Sequence, residues 1–338
     1  MLKRFTLSLI SLVILNTAVV AAETVNVYSA REEQLIKPLL DAFTKDTGIQ
    51  VNLITADDDP LLERLKREGT NSPADLLITA DAGRLYRATE QGSLQAIQSP
   101  KLQQAIPAHL RDPQNRWFGL TYRARVIFYN KATVNPQELS SYENLTDPKW
   151  KGRICVRSST SIYNQSLLAS MIASKGAVIA ETWAKGLVNN LAKPPNGGDR
   201  DQIKAVAAGQ CDLALANTYY YAQMLHGGDA AQKAAAQKVG IFFPNQADRG
   251  THINISGAGV AASAPNKANA VKLLEYMVVD DAQRWYSTTN GEYPVKANIP
   301  AADQLQAWGK FKTDALNLSL LGRYNQAALI MMDKVGWK

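Results

Sequence analysis

The sequence predicts an α/β protein of two lobes, with a cleft between them and strands crossing from one lobe to the other as hinges. Three observations carry this. Strand and helix patterns alternate in two sets, one on either side of about residue 122, and such βα units imply a mostly parallel sheet covered on both faces. A strand and a helix near residues 250–300 belong with the first set, so the chain crosses over and returns. Length agrees: 338 residues less a 22-residue leader leave about 316, which suits two domains better than one core. The expected division is 23–122 plus 250–300 for the N-terminal lobe and 123–249 plus 301–338 for the C-terminal lobe.

The elements follow in order. "MLKRFTLSLISLVILNTAVVAAE" reads as a signal peptide over residues 1–22. Lys3 and Arg4 precede an apolar stretch from Leu7 to Val20, and Val20-Ala21-Ala22 supplies the small residues for cleavage. Ser8, Ser11, Asn16 and Thr17 interrupt the apolar run, and no stop-transfer pattern follows. No Cys at the cleavage point offers a lipid anchor. An exported, soluble chain from near Glu23 is expected.

"TVNVYS" and "GIQVNLIT" alternate as strands do. Between them, Leu35, Ile36, Leu39, Leu40 and Phe43 recur at helical spacing, with Pro38 starting or kinking the helix. In "ADDDP", Asp59-Pro60 reads as N-cap and first helical residue. The acids lack EF-hand spacing, so capping is favoured over calcium. The helix "PLLERLKREG" follows and closes at Gly69. "ADLLIT" is a buried strand and "AGRLYRATEQG" a helix. The second set holds "GRICVRS", "NQSLLASMIASKG", "DQIKAVAAGQ" and "DLALANT". "NISGAGVAAS" and "NKANAVKLLEYMV" return to the first.

Formal charge falls from +7 to +5 without Lys3 and Arg4. The charges are scattered, which argues for a solvated surface rather than nucleic-acid binding. The histidines, His109, His226 and His252, are far apart in sequence, and no GxSxG, P-loop or GxGxxG pattern occurs. Catalysis has no positive support. Cys155 and Cys211 are the only cysteines and lie in strand-like segments. In an oxidising compartment they are a disulfide candidate, with two buried thiols as the other reading.

Ligands of open α/β sheets gather at the carboxyl ends of strands, which directs attention to the loop after "DLALANT". There "ANTYYYAQML" sets Tyr219, Tyr220 and Tyr221 side by side. Thr218 is read as the N-cap, placing Tyr219 and Tyr220 in the first helical turn, where the dipole favours negative oxygen. Phenolate suits a small, hard, triply charged cation. A bound cation also displaces the phenolic proton, despite an ordinary pKa near 10.

Along nearly all of the mature chain the sequence resembles the periplasmic ferric-ion-binding proteins, the substrate-binding components of iron ABC importers. The markers are "VYSAREEQL", "GIQVNL", "NSPADLLITADAGRLYRA", "RARVIFYNK", "DPKWKGRICVRSS", "YNQSLLAS", "ANTYY", "ISGAGV" and "EYPV". The resemblance implies the type II periplasmic binding protein fold, a monomer, ferric ion as cargo and an inner-membrane permease as partner. It implies metal ligation by Tyr219 and Tyr220, and by Tyr163 as in one subgroup. Arg123, or Arg125 as second choice, would hold a carbonate or similar synergistic anion, with Asn217 beside it. Guanidinium matches planar oxyanions in a bidentate way. Tyr221 has no assigned counterpart and is read as packing.

Other readings of the same residues stay open. Tyr163 also suits a cleft wall, the tyrosine pair a stacking platform, and the arginines a lobe–lobe salt bridge. The chain departs from the family's first-lobe ligands. Glu32 stands where many members have histidine, Glu33 where some have tyrosine, and Ala80 where a subgroup has an acid, with Asp81 following. Either glutamate is a hard donor, yet a helix N-terminus favours both without metal. Two rival functions are a receptor for an organic solute, such as a polyamine or phosphorylated small molecule, and an exported tyrosinate–iron enzyme. The first predicts metal-free binding and no colour, the second turnover.

Overall fold

The structure is a computed structural model and describes residues 23–338; the leader expected over residues 1–22 lies outside the described residues. The first set opens with β1 (Thr24–Ser29), α1 (Lys37–Thr47), β2 (Gln50–Thr55), α2 (Asp58–Glu68), β3 (Leu76–Thr79), α3 (Ala82–Glu90) and α4 (Pro100–Ala105). The long β4 (Phe118–Asn130) leads into β5 (Ile154–Cys155), α5 (Ile162–Lys175), α6 (Ala177–Asn189), α7 (Asp199–Ala207), β6 (Leu213–Asn217), α8 (Thr218–His226), α9 (Ala230–Gln237) and β7 (Val239–Phe242). Then come β8 (Ile253–Val260), α10 (Lys267–Met277), α11 (Asp280–Trp285), β9 (Tyr293–Pro294), α12 (Asp303–Gln306), α13 (Ser319–Arg323) and α14 (Asn325–Lys334).

The strands run β2-β1-β3-β8-β4-β6-β5, with β7 and β9 also on β4. The mostly parallel sheet expected from the βα repeats is a correction. Parallel pairing holds for β1 with β2, β1 with β3, and β5 with β6. β8 is antiparallel to β3, and β4 is antiparallel to β6, β7, β8 and β9. The reason is the crossing itself. A strand that leaves one sheet and one that returns to it run side by side in opposite directions.

β4 joins the halves. Its residues 118–124 pair with β8, and Arg125–Tyr129 pair with β6. Successive side chains on a strand point to opposite faces, and here both faces are covered. Val126 and Phe128 enter the hydrophobic cluster that includes Val25, Phe43 and Leu76, while Ile127 enters a second with Trp150, Leu168 and Trp183.

Local chemistry fixes the helix ends of the first set. α1 carries Pro38 in its first turn and ends at Gly48, whose φ of 77° is the left-handed cap glycine adopts readily. α2 begins earlier than expected. Its N-cap is Asp57, so Asp59 and Pro60 lie inside the first turn. Proline is tolerated there because first-turn N–H groups lack intrahelical acceptors. Asp58 is instead tied down by the Thr79 hydroxyl and by Arg84 at 3.0 Å.

Cys155 and Cys211 form a disulfide with a Cα separation of 5.9 Å, linking β5 to the turn before β6. The chain's end is not confined to one side. α14 packs on α5, whereas α13 packs on both α3 and α5. Among the described residues no helix is long and apolar enough to cross a membrane.

Candidate metal centre

β6 ends in the cleft, and α8 starts with no intervening loop. Asn217, not Thr218, is the N-cap residue, with extended backbone (φ −84°, ψ 145°) and no side-chain cap bond. The expected cap fails because both side chains have other partners. The Thr218 hydroxyl accepts from the Ala124 amide, and the Asn217 carbonyl oxygen accepts from Arg125 at 3.0 Å. Tyr219 and Tyr220 still occupy the first turn. Their rings lie 4.1 Å apart between centroids.

Tyr163, from the first turn of α5, completes a phenol cluster. Its hydroxyl is 3.1 Å from that of Tyr219. Burial, then the neighbouring Tyr163 and Tyr220 phenols, push Tyr219 well above the ordinary tyrosine range, and Arg123 pulls the other way. Burial and Tyr163 raise Tyr220 similarly. Tyr219 and Tyr220 are therefore protonated in the metal-free protein, and a cation must displace their protons. Tyr221 faces the opposite way. Its hydroxyl donates to the Val239 carbonyl at 2.7 Å, and its ring packs on Phe128 and Trp308.

The two arginines of β4 are both buried and share a recess with Tyr163, Asn217, His252 and Asn254. Their situations differ. Arg125 donates to Asn164 at 2.6 Å, Asn217 at 3.0 Å, the Leu215 carbonyl at 3.2 Å and Asp199 at 3.3 Å. Among the described residues Arg123 donates only to the Ala80 carbonyl, and its Nε and Nη1 are buried without an acceptor there. The Asn217 Nδ2 is also without one. The Arg125 Nε shares that state, and four orphaned donors in one recess are costly and suit an oxyanion. The Arg123 guanidinium lies 5.5 Å from the Tyr163 ring centre, within cation–π range.

The cleft has a volume of about 680 Å³, and its wall includes Arg31, Glu32, Arg123, Tyr163, Tyr219 and Tyr220. Glu32 reaches it, at the N-cap of a short 3₁₀ turn but without a capping bond. Glu33 is exposed and is not in the wall. Asp81 is buried and committed, accepting from the Gly83 amide at 2.6 Å, Asn254 at 2.7 Å and Ser166 at 3.0 Å. Among the described residues no group of three His, Cys, Asp or Glu side chains forms a metal cluster, so phenols are the prominent hard donors.

Sequence reasoning missed several neighbours. Arg31 pairs with the buried Glu292 at 3.0 Å, 261 positions away, and Ser256 joins them. Asp199 accepts from Arg125, from Arg157 at 3.4 Å and from the Asn217 amide at 2.7 Å. Arg31 lies in "VYSAREEQL" and Glu292 in "EYPV", segments noticed for their resemblance, but no local signal joins them.

A family model for bacterial extracellular solute-binding proteins matches residues 39–313. The chain is 50% identical over 316 residues to iron uptake protein A1 of Synechocystis sp., covering 94% of this chain and 88% of that one. Among solved structures, a Trichodesmium protein in complex with iron and citrate ligands is 54% identical with a TM-score of 0.91, covering 93% of this chain and all of that one. The ferric binding protein from Campylobacter jejuni is 39% identical with a TM-score of 0.88, over the same shares.

Proposed function

Since the chain belongs to the bacterial extracellular solute-binding proteins, we propose that it is a periplasmic receptor that captures ferric ion and hands it to an inner-membrane ABC permease. Relatives named for iron uptake and ferric-ion binding support the cargo. The observation that carries the reading within this chain is the meeting of Tyr163 and Tyr219 oxygens at 3.1 Å beside Tyr220 and the unpaired donors of Arg123. In this reading all three tyrosines ligate iron as phenolates. Arg123 and Asn217 hold a synergistic oxyanion such as carbonate, while Arg125 keeps Asn217 and the β6 terminus in place. Glu32 is the first-lobe donor within reach of the cleft; Glu33 has no role in it.

The mechanism follows from these groups. Protonated Tyr219 and Tyr220 bring no negative charge to the empty site, so ion entry costs proton release and is disfavoured by acid. The Arg123 cation offsets part of the accumulating negative charge, and the anion it holds excludes water from the remaining coordination positions. Closure of the lobes about β4 and β8 completes the shell and presents a surface from both lobes to the permease. The protein acts as a monomer divided near residues 122, 250 and 300, exported by its leader.

Paired Tyr219→Phe and Tyr220→Phe substitutions test this. They are expected to lower ferric affinity by at least about a thousandfold in competition with a chelator, the loss of two charged donors. Unchanged affinity would contradict the reading.

A further inference from the structure

The cleft is larger than a ferric ion with one small anion requires. Such a pair displaces roughly 100 Å³, a few waters' worth, against about 680 Å³ of cleft. Cavities of about 300–1,000 Å³ hold organic ligands. Three arginines, Arg31, Arg123 and Arg200, share the wall with three acids, Glu32, Asp58 and Glu292. Glu292 is paired with Arg31 and Asp58 with Arg84. Arg123 and Arg200 both line the cleft, and neither has a salt-bridge partner among the described residues.

Arg200 comes from the first turn of α7. Its guanidinium lies 4.9 Å from the Tyr220 ring centre and donates through Nη2 to Gln223, one turn further along α8. The side chain is thus held beside a ligand tyrosine with donors left over. From the other lobe, Arg31 reaches the same cleft with Nη1 bound to Ser256 at 2.5 Å and Glu292 at 3.0 Å, and its other guanidinium nitrogens make no hydrogen bond among the described residues. Arg31 and Tyr219 share the wall of this cleft. A cation from each lobe therefore reaches the cleft that Tyr219 and Tyr220 line.

We propose that Arg200, with the free edge of Arg31, forms a second anion-binding locus in the cleft, distinct from that of Arg123, for a carboxylate arm of a multidentate organic acid that enters with the ferric ion. The inference rests on the tyrosinate reading above. One carboxylate and a hydroxyl of the acid complete the iron shell, and a carboxylate that does not reach the metal meets Arg200 in a bidentate pair. An acid spanning Arg200 and Arg31 also ties the lobes together, so cargo discrimination extends from the metal to its chelator.

The test loads the mature protein from ferric citrate, carrying labelled citrate, and separately from ferric nitrilotriacetate with bicarbonate. It is repeated on Arg200→Gln and Arg200→Lys. Expected results are one labelled citrate retained per iron after gel filtration, and an Arg200→Gln affinity that falls about tenfold more for the citrate-loaded form than for the bicarbonate form, as loss of a charge-assisted pair predicts. Arg200→Lys is expected to restore part of that difference. Iron bound with its tyrosinate colour but without citrate would overturn the second locus alone, as would equal losses from both sources. No colour from either source would overturn the tyrosinate reading and the inference with it.

Discussion

Tyr219 sits where burial and function oppose each other. Its hydroxyl is held 3.1 Å from a second phenol, an arrangement that resists ionisation until a cation arrives. Burial and neighbouring phenols keep both Tyr219 and Tyr220 above the ordinary range. They stay neutral through pH 5–9, so each gives up a proton when iron binds. Ferric affinity should therefore rise at least about a hundredfold per pH unit from these two protons alone. Competition against a chelator of known proton stoichiometry measures this; a pH-independent affinity would mean that the phenols are not ligands. His252 adds an independent pH effect. Burial, then the charges of Arg249, Arg125 and Arg123, hold it well below its ordinary value. The folded protein keeps it neutral while the unfolded chain takes a proton below about pH 6.5. Its contribution is complete above that pH and declines on acidification, by up to about 1.4 kcal/mol per unit. Urea midpoints of the metal-free protein should fall between pH 6.5 and 5.5, and His252→Gln should flatten that fall.

Among the elements, the β6–α8 junction and the disulfide decide how firmly the tyrosines are aimed. The bridge closes a loop of sequence separation 56 and ends six residues before Asn217. Replacing both cysteines by alanine should cost about 2–4 kcal/mol in unfolding free energy, read by denaturant melts in which tyrosinate colour forms once the variant is folded. Much at this scale was legible in the sequence. β1, β3, α3, α10 and the β6–α8 pair announce themselves through period-two or helical spacing with glycine or proline punctuation, and the adjacent tyrosines mark a site through sheer local density. The illegible parts are long-range. Antiparallel β8 beside β3 depends on how the chain returns, which no local period encodes. The Arg31–Glu292 pair and the Asp199 hub are meetings of residues that look solvated in isolation. The α8 cap was misplaced because tertiary partners claimed both Thr218 and Asn217.

The whole molecule turns on two lobes joined through β4, with specific contacts at the cleft. Ser166 reaches Asp81 at 3.0 Å and Arg123 reaches the Ala80 carbonyl, while α13 lies against helices on both sides. These contacts surround the cleft without filling it, which suits a receptor whose cargo completes closure. The direct test of that account is a visible absorption titration of the mature protein with a ferric chelate, with and without bicarbonate. The account predicts a saturable tyrosinate-to-iron charge-transfer band at one metal per chain, strengthened by the anion. A folded protein that develops no band would contradict it and leave the tyrosines as a stacking wall for an organic solute.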